Sequence, residues 1–350
     1  MERVAIYAVT ADGAELGRGL SAALGADLYV SARLARPGER GFDGLGALVA
    51  RTFREYGGHV FVAAAGVAVR VVAPLLGGKA ADPAVVAVDQ SGRWAVSLVS
   101  GHVGGANELA RRVAAACGAE AVVTTATDRA GLPAVDELAA RRGLRFDDLG
   151  GAKAVAAALL EGRAVQLHDP GDWLGLAGRE GFDICGPEAW DAARPGVWTD
   201  WRSGPEASGP GPGTFRVYPP CLFAGVGFRR GVSAGEIEEF VRSAFDRAGL
   251  ALASLAGLGT AWVKRGDAAL EAAGARLGAP VTYFEAEELN AVSLPPEAAG
   301  AGREGSAAQR HLGVKSVCEA AAIRLAGGGP LVLAKVKNPR TTLAVACSRR

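Results

Sequence analysis

What most constrains this chain is an alternation: short β-branched runs are separated by Ala/Leu/Arg segments with helical spacing, the pattern of parallel βαβ units. Across residues 1–130 the expected strands are Val4–Val9, Leu28–Ser31, His59–Ala64, Val85–Val88, Trp94–Val99 and Ala121–Thr124. The expected helices are Gly13–Leu24, Leu45–Tyr56, Val67–Leu76 and Asn107–Cys117. One link departs from the pattern. Asp89-Gln90-Ser91-Gly92-Arg93 joins two strands directly, which is a hairpin signal, so the first sheet is expected to be mixed or mainly parallel with flanking helices. Fifty glycines in 350 residues are about twice the usual share, which suits many tight strand-to-helix turns.

The alternation fades from residue 131 to 220. Two Ala-rich helices, Leu132–Arg142 and Ala152–Leu160, precede a stretch rich in Gly, Pro, Trp and Asp. The run from Trp201 to Gly213 cannot pack a core and reads as a linker or exposed loop. From 221 to 350 the βα pattern returns: Leu222–Val226, helix Ser233–Arg247, a strand near Leu252–Leu255, helix Ala268–Leu277, Val281–Phe284, helix Val314–Leu325, Leu331–Val336 and Thr341–Ala346. The expected class is therefore multi-domain α/β: an amino-terminal α/β domain, a less regular middle segment and a carboxyl-terminal α/β domain.

Charge and composition exclude several functions. Lys and Arg number 38 against 37 Asp and Glu, a net charge of +1, so no overall field draws the chain to nucleic acid or an anionic membrane. The five cysteines, at 117, 185, 221, 318 and 347, form no C-x-x-C pair and lie near no histidine, which indicates neither zinc nor a disulfide framework and fits a reducing cytoplasm. The start, Met1 to Val9, lacks a signal-peptide pattern, and the apolar stretch Val60–Leu76 is interrupted by Arg70 and Pro74, so no membrane span is expected.

Two loops after predicted strands concentrate chemistry. In Ser100-Gly101-His102-Val103-Gly104-Gly105-Ala106-Asn107-Glu108, the glycines admit close approach of a ligand, and the N–H groups of a helix start suit a carboxylate or oxyanion. His102 is a candidate general acid or base, with Glu108 beside it. The competing reading has Asn107 capping the helix and His102 bonding a turn. Thr124-Thr125-Ala126-Thr127-Asp128 packs three hydroxyls and a carboxylate into one loop, which positions a substrate or water or else caps a helix. Gly66 follows a strand, and Arg70 in an apolar helix needs an acid or a ligand carboxylate. Asp82 and Asp89 read as turn residues or site carboxylates. Gly225-Val226-Gly227-Phe228-Arg229-Arg230-Gly231 is a near-match to a dinucleotide fingerprint with its third glycine one residue late. Lys264, Asp267, Glu319, Lys335, Lys337 and Arg340 add charge to that domain.

Taken together, Gly66–Arg70, Ala73–Leu76, Asp82–Asp89, Ser97–Arg111 and Thr124–Asp128 resemble, in order and spacing, the amino-terminal region of the cobalt-precorrin 5A hydrolase family of anaerobic cobalamin biosynthesis. Gly225–Gly231, Lys264, Gly313–Ala322 and Lys335–Thr342 resemble that family's last domain, which is also similar to a small stand-alone protein of the aerobic pathway. Asp267 stands where a glutamate is expected. The resemblance implies a hydrolase that opens the lactone of a cobalt-containing corrinoid and releases acetaldehyde to give cobalt-precorrin 5B. Cobalt arrives in the substrate, so no cofactor or protein-bound metal is expected. The partners implied are the small-molecule corrinoid and neighbouring pathway enzymes in transient contact, with homodimerisation left open. On this reading His102, Asp128 and Glu108 carry proton transfer. Gly66, Arg70, Arg93, Ser100, Gly101, Gly104, Gly105, Asn107, Arg111, Thr124, Thr125, Thr127, Gly225, Gly227, Lys264 and Lys335 bind substrate. Rival readings are a non-catalytic corrinoid carrier and a nucleotide-binding enzyme using Gly225–Gly231.

Overall fold

A computed structural model describes residues 3–78, 81–102, 104–147, 149–203, 211–295, 314 and 316–348, without the side chains of 128 and 129. The chain forms two compact units, Met1–Ala140 with Ala156–Arg163, and Arg141–Val155 with Ala164–Arg350.

The first unit holds strands β1 (Val4–Ala8), β2 (Asp27–Ser31), β3 (Arg40–Phe42), β4 (Gly58–Val62), β5 (Ala84–Val88), β6 (Trp94–Val99) and β7 (Glu120–Val122). They form one sheet in the order β3-β2-β1-β4-β5-β6-β7. All neighbours are parallel except β5 and β6, which the Asp89–Arg93 turn makes antiparallel. Asp89 anchors that turn by accepting from the N–H groups of Ser91, Arg93 and Trp94. Helices α1 (Ala11–Leu24) and α4 (Ala106–Cys117) cover one face, over Val4, Ile6, Val60, Val62, Val86 and Val88. Helices α2 (Leu45–Thr52) and α3 (Ala65–Val72) cover the other, over Ala5, Tyr7, Phe61, Val85 and Ala87. Burial on both faces is why β1, β4 and β5 read as continuous apolar runs instead of alternating ones. Each fully buried Val or Ile there contributes roughly 1.5–3 kcal/mol. The short helices α5 (Ala126–Arg129) and α6 (Val135–Arg141) follow β7.

A histidine sits inside this core. His59 on β4 is fully buried, with Nδ1 3.0 Å from the Tyr7 hydroxyl and Nε2 3.2 Å from the Phe53 carbonyl. Burial lowers its pKa to about 4, with the Phe53 bond opposing, so the imidazole is neutral and its Nε2–H donates to the carbonyl.

In the second unit, β8 (Arg145–Phe146), β9 (Val165–His168), β10 (Phe182–Ile184), β11 (Gly196–Thr199) and β12 (Thr214–Tyr218) form a sheet in the order β10-β9-β11-β12-β8, parallel except at β8. The helix α7 (Leu149–Leu160) separates β8 from β9 in sequence. The strands of this middle stretch are short, yet they close a five-stranded sheet. A second sheet has the order β15-β14-β13-β17-β16, from β13 (Leu222–Phe228), β14 (Leu255–Ala261), β15 (Val281–Phe284), β16 (Leu331–Lys337) and β17 (Thr341–Cys347). Here β13, β14 and β15 are parallel, and β16 and β17 are antiparallel additions. Helices α8 (Ala234–Arg247) and α9 (Ala268–Leu277) pack on it through Ile237, Phe240, Val241, Leu270 and Ala273. The short α10 (Ala286–Asn290) follows β15, and α11 (Val317–Leu325) lies against β13, β14 and β17. Arg145 ties the two sheets, donating from Nη1 to the Ala253 and Leu255 carbonyls at 3.1 and 3.0 Å. Both sides of the Trp201–Gly213 run thus belong to one compact unit.

The strand expected near Leu252–Leu255 begins instead at Leu255 and runs to Ala261, because the Gly-Leu-Gly run that looks like a turn is a strand on which α11 rests. A Cβ on Gly259 would stand 2.7 Å from Leu325 Cδ1 and 3.2 Å from Ala321 Cβ.

Candidate functional site

The reversal at β6 decides where the motif loops go. Val85 pairs with Val99 and Val88 with Ala95, so β6 ends beside the start of β5. The loops after β6 and β7 therefore occupy the rim where β1, β4 and β5 begin, while Gly66 after β4 and the Arg93–Trp94 hairpin lie at the opposite rim. The residues expected to bind substrate are thus divided between two rims by the antiparallel hairpin.

At the β6 rim the backbone is bent into a tight loop. Ser100 adopts a left-handed conformation with φ 60°, which costs a residue with a Cβ roughly 1–2 kcal/mol. Its Oγ is buried with no hydrogen-bond partner among the described residues. Gly104 leaves room for this geometry: a Cβ there would stand 2.3 Å from Ser100 Cβ and 2.9 Å from the Asp82 carbonyl oxygen. Gly105, at φ 79°, is the N-cap of α4. Asn107 is thus inside the helix and does not cap it. The N–H groups of Gly105, Ala106 and Asn107 donate to the carbonyls of His102, Ser100 and Gly101 at 2.8, 3.0 and 3.1 Å. The donors expected to meet an oxyanion from Gly105 onward are consumed by the loop itself.

Asn107 joins the two motifs. Only 1 % exposed, it accepts from Ser97 Oγ at 2.8 Å and donates from Nδ2 to Thr125 Oγ1 at 3.1 Å. Gly101 packs on it, since a Cβ there would lie 2.9 Å from Asn107 Oδ1. The buried carboxamide is therefore a positioning group that holds the Ser100 loop against the Thr124–Thr127 loop. Thr124 is exposed, whereas Thr127 is buried with its hydroxyl unpartnered among the described residues. The Asp128 side chain lies outside the described residues.

His102 has a partner that its sequence neighbourhood does not reveal. Its Nδ1 is 3.4 Å from Oε2 of Glu137, a mostly buried carboxylate on α6. Glu108, by contrast, is solvated and pairs with Arg111 at 3.8 Å along α4, a pair of little energetic weight. The neighbouring loop is organised by Asp82, which accepts from Gly77 and Gly78 N–H groups at 2.9 Å each and meets Arg54 Nη2 at 3.2 Å. Burial alone would raise the Asp82 pKa; these donors and the guanidinium outweigh it and hold it below the usual carboxylate value. On α3, Arg70 is exposed and has no hydrogen bond or ion pair among the described residues. Arg93 lies over the Trp94 ring at 4.9 Å.

In the carboxyl-terminal sheet, two expected substrate glycines have a packing role. A Cβ on Gly225 would stand 1.8 Å from the Cys318 carbonyl oxygen of α11, and one on Gly227 would stand 2.6 Å from Thr342 Oγ1 on β17. Both lie within β13 instead of in the turn before a helix, where a dinucleotide fingerprint needs them. Lys264 sits with Nζ 4.2 Å above the Phe228 ring. Asp267 caps α9, accepting from Ala269 N–H at 3.1 Å, which accounts for an acid at that position. Lys335 is half-buried on the edge strand β16, near enough to Cys318 to oppose the burial that raises that thiol's pKa.

Comparison with known proteins places the whole chain. Three family descriptions match in order: Cobalamin synthesis G N-terminal over residues 47–128, Cobalamin biosynthesis central region over 133–210, and Cobalamin synthesis G C-terminus over 222–346. The cobalt-precorrin-5A hydrolase of Salmonella typhimurium is 33% identical over 298 residues, covering 82% of this chain and 83% of its own. The chain belongs to the cobalt-precorrin-5A hydrolase family. Another relative of that name, from Priestia megaterium, is 28% identical over 360 residues, covering 98% of this chain and 94% of its own. A solved cobalamin biosynthesis protein G homolog from Sulfolobus solfataricus is 18% identical over 99% of this chain and 97% of that one, with a TM-score of 0.39. Among the described residues no helix is long and apolar enough to cross a membrane.

Proposed function

We propose that this chain is a hydrolase that opens the lactone of cobalt-precorrin-5A and releases acetaldehyde, leaving cobalt-precorrin-5B. The family membership supports the substrate, and one observation supports the site: Asn107 holds the Ser100–His102 loop and the Thr124–Thr127 loop together at one rim. Glu137 fixes the His102 ring through Nδ1, so that Nε2 takes a proton from a water molecule as its oxygen bonds to the lactone carbonyl carbon. The Ser100 hydroxyl, held without a protein partner among the described residues, hydrogen-bonds the substrate. When the ring opens, the proton on His102 passes to the leaving alkoxide. His102, neutral again, then takes the new hydroxyl's proton as its oxygen becomes the carbonyl of acetaldehyde; the carbon–carbon bond breaks, its electron pair passing into the macrocycle, whose carbon accepts that proton. Cobalt enters as part of the substrate.

The test is anaerobic incubation with enzymatically prepared cobalt-precorrin-5A, with acetaldehyde trapped and the corrinoid followed by mass. The parent protein turns over, and His102→Ala and Glu137→Gln lower kcat by about a hundredfold or more with a smaller change in KM. A folded His102→Ala protein working at the parental rate removes this histidine from the scheme. Stoichiometric binding without acetaldehyde refutes the hydrolase.

A further inference from the structure

The carboxyl ends of β13 and β14 form a rim that the proposed hydrolysis does not use. The two strands are parallel and paired through Gly225 and Gly259, so Phe228 ends β13 level with Trp262, which directly follows β14. The ends of β13 and β14 lead into α8 and α9, which pack together on one face of the sheet, and open sheets bind ligands outside the carboxyl ends of their strands.

Two features coincide there. Trp262 is 40% exposed and Val263 65%, among the largest exposed apolar surfaces of the described residues. Around them stand Arg229, Arg230, Lys264 and Arg265, with Arg265 4.1 Å over the Trp262 ring and Lys264 over Phe228. Among the described residues none of these four cations forms an ion pair, whereas Arg242, Arg276, Arg324 and Arg340 in the same unit all meet glutamates. The neighbouring acid, Asp267, is committed to capping α9. Burial pulls the Lys264 pKa below its usual value and Arg230 adds to this, Asp267 opposing, so an arriving carboxylate relieves the ammonium. Exposed aromatic surface ringed by cations that form no ion pair among the described residues matches a ligand with a flat apolar body and several carboxylates.

We propose that this rim is a second binding station for the polycarboxylate macrocycle, with Trp262 and Val263 against its face and Arg229, Arg230, Lys264 and Arg265 on its acid fringe. The identity of the ring rests on the proposed function; the charge and shape of the ligand rest on the rim alone.

The test uses the full chain and two probes, cobyrinic acid with free carboxyls and its fully esterified form, with binding read from corrinoid absorbance. The acid is expected to bind more tightly than the ester and to weaken with salt. Trp262→Ala and the double variant Arg230→Ala/Lys264→Ala each weaken it about tenfold or more. These side chains lie at the surface, so near-ultraviolet circular dichroism should be unchanged. Equal binding of acid and ester, or unchanged affinity in both variants, overturns the station. Displacement of the acid by ATP at this rim, lost in the same variants, overturns the ligand class. Acetaldehyde release separates this proposal from the hydrolase: a protein that turns over with unaltered binding in the variants refutes the station alone. One that binds here without turnover refutes the hydrolase alone.

Discussion

Replacing Ser100 by alanine should make the protein more stable and less active. The Ser100 Oγ is buried and unpartnered among the described residues, and such a hydroxyl costs about 1–3 kcal/mol relative to its hydrated state. Alanine removes that cost while keeping the Cβ and the left-handed φ of 60°, so the expected gain is about 1 kcal/mol after a small loss of contact. Glycine also relieves the left-handed strain, about 1–2 kcal/mol, against an unfolded-state entropy of about 0.5–1 kcal/mol. The expected stability order is Gly, then Ala, then Ser. Activity runs the other way, because the hydroxyl is kept for substrate: kcat/KM should fall tenfold or more, the worth of about 1.4 kcal/mol. Urea unfolding of the unit carrying Ser100, paired with acetaldehyde release, reads both. An alanine variant that is destabilised by about 1 kcal/mol or more would mean the hydroxyl is bonded in the folded state. A fully active one would mean it meets no substrate.

Three further outcomes follow. Asn107→Ala and Thr125→Val should be non-additive, with a coupling of about 1 kcal/mol in stability and a shared loss of turnover; additive effects would separate the two loops. His59, with a folded pKa of about 4 against roughly 6.5 unfolded, stabilises fully above the unfolded value. As pH falls from about 6.5 to 4 the unfolded state binds the extra proton, and about 3 kcal/mol is lost. Urea midpoints at pH 7 and 5 should show this slope, and His59→Phe should lack it. Gly225→Ala drives a methyl to 1.8 Å from the Cys318 carbonyl oxygen and should cost about 3 kcal/mol. A thermally unchanged variant that binds corrinoid poorly would restore Gly225 to the ligand site.

Much of the scaffold is legible from residue types. β6 runs over Trp94–Val99 and β15 over Val281–Phe284, as the β-branched runs require, and the Asp89–Arg93 turn announces the antiparallel pair. The rim each loop occupies is not legible, because it follows from the pairing of Val85 with Val99. The middle sheet is hidden because its strands, such as Arg145–Phe146 and Phe182–Ile184, are too short for an alternating pattern to register. Glu137 is hidden differently: an acid beside Asp136 near the start of a helix looks like an ordinary dipole partner, and only tertiary structure sets it against His102. Glycines are ambiguous by nature. Gly104 and Gly225 look alike in sequence, yet one accommodates a strained loop and the other a helix carbonyl.

The hairpin between β5 and β6 also sets an order of assembly. Its strands are joined by the Asp89–Arg93 turn, a local closure of the kind completed in about 1–10 μs. The central β1–β4 pair must bring Val4 to Gly58, a distant contact whose loop entropy is met before any pairing rewards it. The sheet is therefore expected to grow outward from the β5–β6 pair. The Ser100 loop then hangs from the first piece of sheet to exist, and its strained backbone is set against a partner strand already in place.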